Sequence, residues 1–137
     1  MKKELIKFLD KCNANNELYT VNTEEYVNKL LSKAVMVTHY NERKIVGFCA
    51  FYANDLTKSI SFLSMICIDN EYRRKGIGGL MLNYWITYTK KQGFENCLLE
   101  VKKSNIKAIA IYKKLGFKKI KDLEKSILMN LKHDIKV

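Results

Sequence analysis

From Ser59 to Gly93 the chain strings together three segments without a break. An apolar, strand-like run ends in Met65-Ile66-Cys67-Ile68. A basic glycine-rich turn follows, Arg73-Arg74-Lys75-Gly76-Ile77-Gly78-Gly79. A helical stretch then continues through Trp85 to Lys91 and stops at Gly93. A strand that feeds a tight turn and a helix, with a second short strand at Cys97–Val101, is the signature of a βαβ unit. Ser104 or Asn105 can cap a further helix through Lys114, which Gly116 ends. Phe117–Ile120 and Ser126–Leu131 read as the final strands.

The half before Ser59 has a different rhythm. Leu5, Ile6, Phe8 and Leu9 recur at helical spacing over residues 2–12, and Asn13 to Asn16 break the pattern. Thr23-Glu24-Glu25-Tyr26 opens a second helix, to about Ser32, with acids in its first turn where they suit the helix dipole. Ala34–Tyr40 and Ile45–Tyr52 flank a turn at Asn41-Glu42-Arg43-Lys44 and most simply form a hairpin. Asn54–Thr57 turns the chain again. An antiparallel first half joined to a βαβ second half predicts an α/β chain, a mixed sheet flanked by helices. With 137 residues, 16.0 kDa and no proline, one compact domain over residues 1–137 is expected.

Charge and cysteine usage narrow the function classes. Lysine supplies most of a net charge of +11, but the lysines are scattered and arginine is confined to Arg43, Arg73 and Arg74. Nucleic-acid binders concentrate charge on one element and favour arginine, so no nucleic-acid partner is expected. Cys12, Cys49, Cys67 and Cys97 stand at no metal-ligand spacing, and His39 and His133 lack a partner at i+3 or i+4, so no metal is expected. Cys49 and Cys67 lie in apolar strand-like runs, where a free cysteine acts as a small hydrophobe. No apolar run reaches the roughly 20 residues of a membrane span, and the N-terminus has no signal-peptide core. A cytoplasmic protein off the membrane, with its cysteines reduced, is the expectation.

The turn carries the chemistry. The first amides of a helix have no partner within it and point outward. Gly76, Gly78 and Gly79 let a ligand approach the backbone, and Arg73, Arg74 and Lys75 add charge at the positive end of the dipole. Together these make a phosphate cradle; the competing reading is a flexible loop with solvated charges. Gly79-Leu80 does not continue as Lys-Ser/Thr, so a Walker A loop fails, and Met81 stands where a dinucleotide fingerprint needs its third glycine.

Arg73-x-x-Gly76-x-Gly78 after an apolar strand resembles the acetyl-CoA signature of the GNAT superfamily of N-acetyltransferases. Ser104-Asn105-x-x-Ala108-x-x-x-Tyr112-x-x-x-Gly116-Phe117 is similar to its second signature, in the same order and at the expected separation. The element order matches from about residue 20 to 131, whereas the family commonly begins with a strand where this chain begins with a helix. The resemblance implies the acyl-CoA N-acyltransferase fold, with acetyl-CoA as cosubstrate. The coenzyme diphosphate then sits on the amides of Arg73, Arg74, Lys75, Gly76, Ile77, Gly78 and Gly79. The pantetheine arm bonds main-chain groups of Ile66, Cys67 and Ile68, where this strand splays from its parallel neighbour. Asn105 touches that arm as well as capping its helix. Tyr112 lies in the coenzyme site and is the general acid that protonates the departing thiolate; a core tyrosine is the plainer alternative.

No base stands out: Asp55, Asp69 and Glu100 are more simply turn or strand-end residues. Met65, Met81, Tyr84, Trp85 and Tyr88 belong to apolar faces of the core. Tyr19, Tyr26, Tyr40 and Tyr52 fall near segments that shape the acceptor groove in the family. The expected activity is acetyl transfer to a primary amine of a small molecule, an amino sugar among the candidates. A peptide amine acceptor and a non-catalytic acyl-CoA sensor are the alternatives. Ser126–Leu131, read as an edge strand, suggests a homodimer.

Overall fold

The computed structural model describes residues 2–14, 18–19 and 21–134. Its elements are α1 (Lys2–Cys12), α2 (Thr23–Lys33), β1 (Ala34–Asn41), β2 (Lys44–Tyr52), β3 (Ile60–Ile68), α3 (Ile77–Gln92), β4 (Asn96–Lys102), α4 (Ile106–Leu115), β5 (Lys118–Asp122) and β6 (Ser126–Lys132). A short 3-10 turn at Asn70–Tyr72, absent from the sequence reading, lies between β3 and α3. The strands follow the order β1-β2-β3-β4-β6-β5. This is the mixed α/β sheet expected, antiparallel in its first half and βαβ in its second. Of the predicted break at Asn13–Asn16, Asn13 and Ala14 form a turn, while Asn15 and Asn16 lie outside the described residues.

The chain forms two compact units, Met1–Tyr52 with Ser64–Trp85, and Ala53–Leu63 with Ile86–Val137. In the first, β1 and β2 pair antiparallel from Ala34↔Tyr52 to Asn41↔Lys44. Leu5, Phe8 and Leu9 of α1 and Val27 and Leu30 of α2 bury against Ile45, Phe48, Ala50, Met65 and Cys67 of the strands. The i, i+3, i+4 spacing on the helices meets the apolar strand faces, and burying each large side chain contributes about 1.5–3 kcal/mol. Asn22 caps α2, its side chain accepting from the Glu25 amide at 2.9 Å. Gly47 lets β2 approach the start of α3: a Cβ there would stand 3.1 Å from Ile77 Cγ2, 3.2 Å from Ile68 Cδ1 and 3.3 Å from Met81 Sδ.

One expectation fails in this unit. Cys12 and Cys67 form a disulfide, with Cα atoms 6.7 Å apart across a sequence separation of 55. Packing of the apolar stripe of α1 against the face that carries Met65 and Cys67 brings its last residue to β3. Sequence distance and an assumed reducing compartment hid that approach. Cys49 is free and buried, as read.

In the second unit, β3 pairs parallel with β4 through Ile60↔Asn96, Ser61↔Cys97 and Phe62↔Leu98. β6 pairs antiparallel with β4 on one side and with β5 on the other. The edge-strand reading of Ser126–Leu131 is therefore overturned, and with it the argument for a homodimer. The chain beyond α4 runs through β5 first and then folds β6 back between β5 and β4. Gly116, at φ +108, ends α4 in the left-handed conformation. Met65, Met81 and Trp85 are buried as expected, but Tyr84 is 48% exposed. It sits one turn after Leu80, itself exposed, on a face of α3 that helical periodicity alone assigned to the core. Among the described residues no helix is long and apolar enough to cross a membrane.

Candidate functional site

The site is built outward from the end of β3. Asp69 is buried, and its backbone N–H donates to the Val46 carbonyl at 2.9 Å. Its carboxylate caps the 3-10 turn, accepting from the Glu71 amide at 3.0 Å and from Lys11 Nζ at 3.1 Å. The Glu71 amide first, and then Lys11, hold the Asp69 carboxyl below its usual range, against the opposing effect of burial. Asp69 is thus a structural anion and not a base, as its sequence position suggested.

After Tyr72 the backbone takes unusual conformations. Arg73 is extended, at φ −69 and ψ 158. Arg74 is left-handed at φ +65, as is Gly76 at φ +82. For arginine that conformation costs about 1–2 kcal/mol and persists only when its surroundings impose it. Two left-handed residues this close make a tight turn, one of the backbone conformations from which anion-binding concavities are built. The first α3 hydrogen bond runs from the Leu80 amide to the Gly76 carbonyl at 3.1 Å. The amides of Ile77, Gly78 and Gly79 therefore have no acceptor within the helix.

Space is left for a ligand at the glycines. A Cβ at Gly76 or Gly79 would meet nothing within 4 Å, and one at Gly78 only Ile68 Cγ1 at 3.9 Å. Arg73, Arg74 and Lys75 are exposed around the opening. Open space, helix amides without internal acceptors and three cations fit a diphosphate in charge. The Ile77 side chain is buried, so only its main chain faces the turn.

The strand residues Ile66, Cys67 and Ile68 lie beyond the parallel ladder, which ends at the Phe62↔Leu98 pair. One main-chain group is already used: the Ile68 carbonyl accepts from Arg73 Nε at 3.3 Å. On the same strand the Ser64 hydroxyl is 2.7 Å from that of Tyr26. Tyr26 stacks on Tyr19, with ring centroids 4.4 Å apart and planes 5° from parallel. Burial pushes the Tyr26 phenol above its ordinary value of 10, so it stays protonated at neutral pH and is no general base.

In the second unit Asn105 caps α4, its Oδ1 accepting from the Ala108 amide at 3.2 Å. That settles the capping alternative in favour of Asn105 over Ser104. Tyr112 is buried on α4, with its ring edge-on to Phe117 at 5.9 Å. Asp55 accepts from the amides of Thr57, Ser59 and Ile60, and Glu100 from the Ser126 hydroxyl at 2.6 Å, so both are structural. Among the described residues no three His, Cys, Asp or Glu side chains gather as a metal site.

Sequence reasoning missed Asn41, Lys44 and Tyr72. Asn41 Nδ2 donates to Tyr72 Oη at 2.9 Å. Lys44 Nζ and Lys75 Nζ stand 5.8 Å and 5.2 Å from the Tyr72 ring centre. The hairpin end and the turn meet only through the fold, and no local signal announces that contact.

A strand that runs into a basic, glycine-rich helix start is a feature shared by a class of proteins, and comparison places the chain in it. Residues 4–117 match the Acetyltransferase (GNAT) family, and the chain belongs to that family. It is 37% identical over 68 residues to the [ribosomal protein bS18]-alanine N-acetyltransferase of Escherichia coli strain K12, a match covering 50% of this chain and 46% of that one. With the N-alpha-acetyltransferase of Saccharolobus solfataricus it shares 45% identity over 60 residues, 43% of this chain and 36% of the other. The chain thus spans about half the length, or less, of these curated relatives. Its fold superposes on an aminoglycoside 6'-N-acetyltransferase complexed with coenzyme A with a TM-score of 0.79, at 17% identity, covering 96% of this chain and 89% of that one.

Proposed function

We propose that the protein is an acetyl-CoA-dependent N-acetyltransferase that acetylates a primary amine. The observation that carries this reading is the turn at Arg73–Gly79, read as an anion nest, whose left-handed Arg74 and Gly76 sit beside glycines with open space above them. Its main-chain amides hold the coenzyme diphosphate, and Arg73, Arg74 and Lys75 supply neutralising charge. Main-chain groups of Ile66, Cys67 and Ile68 take the amides of pantetheine as an added strand would. The Asn105 amide nitrogen, not engaged by the cap, donates to the same arm.

Chemistry follows from the thioester. A neutral amine attacks the acetyl carbon, the C–S bond breaks and a thiolate leaves, while the N–H proton shed by the new amide passes through water and restores the Tyr112 phenol. Tyr112, a phenol protonated at neutral pH on its reference value of about 10, gives that thiolate its proton. No covalent bond to the enzyme is required. The acceptor reaches water as an alkylammonium and loses its proton before attack. None of the carboxylates named above is assigned that task, because each already holds structural donors.

A small-molecule amine is the first reading of the acceptor. A peptide or protein amine is the second, favoured by the identity with a relative whose name gives a ribosomal protein as its substrate. Release of coenzyme A thiol, measured across amino sugars, polyamines, amino acids and peptides, separates them. Tyr112→Phe is expected to lower kcat about 100-fold or more on the active acceptor while acetyl-CoA affinity stays within about twofold. Equal turnover by wild type and variant would remove Tyr112 from the mechanism. Tight acetyl-CoA binding without thiol release across the panel would favour the sensor reading.

A further inference from the structure

A left-handed arginine and a left-handed glycine two residues apart need something to hold them, and the surroundings of Tyr72 supply it. The Tyr72 amide donates to the Asp69 carbonyl at 2.9 Å and closes the 3-10 turn. Its hydroxyl accepts from Asn41 at the end of β1. Its ring is flanked by the ammonium groups of Lys44 and Lys75, both nearer than the roughly 6 Å at which a cation still feels an aromatic face. Asn41 and Lys44 bracket the β1–β2 hairpin turn, whereas Lys75 belongs to the anion nest. A single half-buried ring therefore ties the nest to a rigid hairpin.

We infer that Tyr72 is a positioning residue for coenzyme binding: it fixes the diphosphate nest and its Lys75 against the β1–β2 hairpin. The inference rests on the nest's being the diphosphate site. Without the ring, Lys75 and the Arg73–Gly76 backbone gain freedom that must be lost again when the coenzyme binds. Affinity for the diphosphate end falls, while the strand and helix groups that handle the thioester are untouched. Phenylalanine keeps the flat face for both cations and gives up only the Asn41 hydrogen bond.

The test compares two donors, acetyl-CoA and S-acetylpantetheine, which carries the thioester but no diphosphate. Tyr72→Leu is expected to raise the acetyl-CoA Kd and KM about fivefold, with kcat unchanged and with kcat/KM for S-acetylpantetheine unchanged. Tyr72→Phe recovers most of that loss, and Asn41→Ala, at an exposed hairpin residue, shows a smaller shift of the same sign. An equal fall with both donors overturns the inference, because it marks general damage. Unchanged acetyl-CoA affinity in Tyr72→Leu also overturns it. Should the wild type bind no acetyl-CoA, the functional reading fails first and takes this one with it, a result distinct from either.

Discussion

His133 shows how a single residue ties stability to pH. It is buried just beyond β6, with Nε2 2.9 Å from Thr89 Oγ1 and 3.4 Å from Cys97 Sγ. Thr89 Oγ1 donates to the Ile86 carbonyl at 3.0 Å, so it receives the imidazole N–H. Burial, and then the nearby Lys90 charge, push the imidazole below its ordinary 6.5. Burial raises the Cys97 thiol to about 11. All three groups are therefore neutral at pH 7. Below about pH 6.5 the unfolded chain binds a proton on this histidine before the folded chain does, so stability falls as pH drops toward the folded value. Denaturant midpoints at about pH 8 and pH 5.5 are expected to differ more for wild type than for His133→Gln. Parallel behaviour of the two proteins would contradict the placement. At this scale the sequence revealed chemistry-bearing residues only where a motif surrounds them. The candidates Arg73, Gly76, Asn105 and Tyr112 stand in such frames, whereas Asn41 and Tyr72 meet through pairing of distant segments. The same is true of His133 and Thr89.

Among the elements, α1 depends most on a long-range link. Its apolar stripe packs on the first-unit core, and its end is fastened twice, by the Cys12–Cys67 disulfide and by the Lys11–Asp69 ion pair. Lys11 is 62% exposed in that pair, so the ion pair contributes little beside the covalent link. Cys12→Ser without reductant, or the wild type in excess reductant, is expected to lower the unfolding free energy by about 2–4 kcal/mol relative to the oxidised wild type, read from guanidinium midpoints. Midpoints insensitive to both would show that the bond does not form in solution. Helix starts and stops were readable because caps are local: Asn22, Asn105 and Gly116 sit where the chain turns into or out of a helix. Strand order was not readable at the C-terminus. Nothing local in Ser126–Leu131 says that β5 will cover its outer side.

For the molecule as a whole, two short signatures and the change from antiparallel to βαβ rhythm were enough to name the family, because the fold exists to place that turn at the end of a strand. The acceptor has no comparable frame. The stacked pair of Tyr19 and Tyr26, near which the acceptor groove was expected, assembles from separate segments. The disulfide escaped for a different reason, since residues 55 apart give no sequence sign of contact. What the account requires above all is that main-chain amides between Arg73 and Gly79 grip a diphosphate. A crystal structure of the complex with coenzyme A tests this most directly. Diphosphate oxygens about 3 Å from the amides of Ile77, Gly78 or Gly79 are the result expected. A bound nucleotide with those amides facing only water would contradict it.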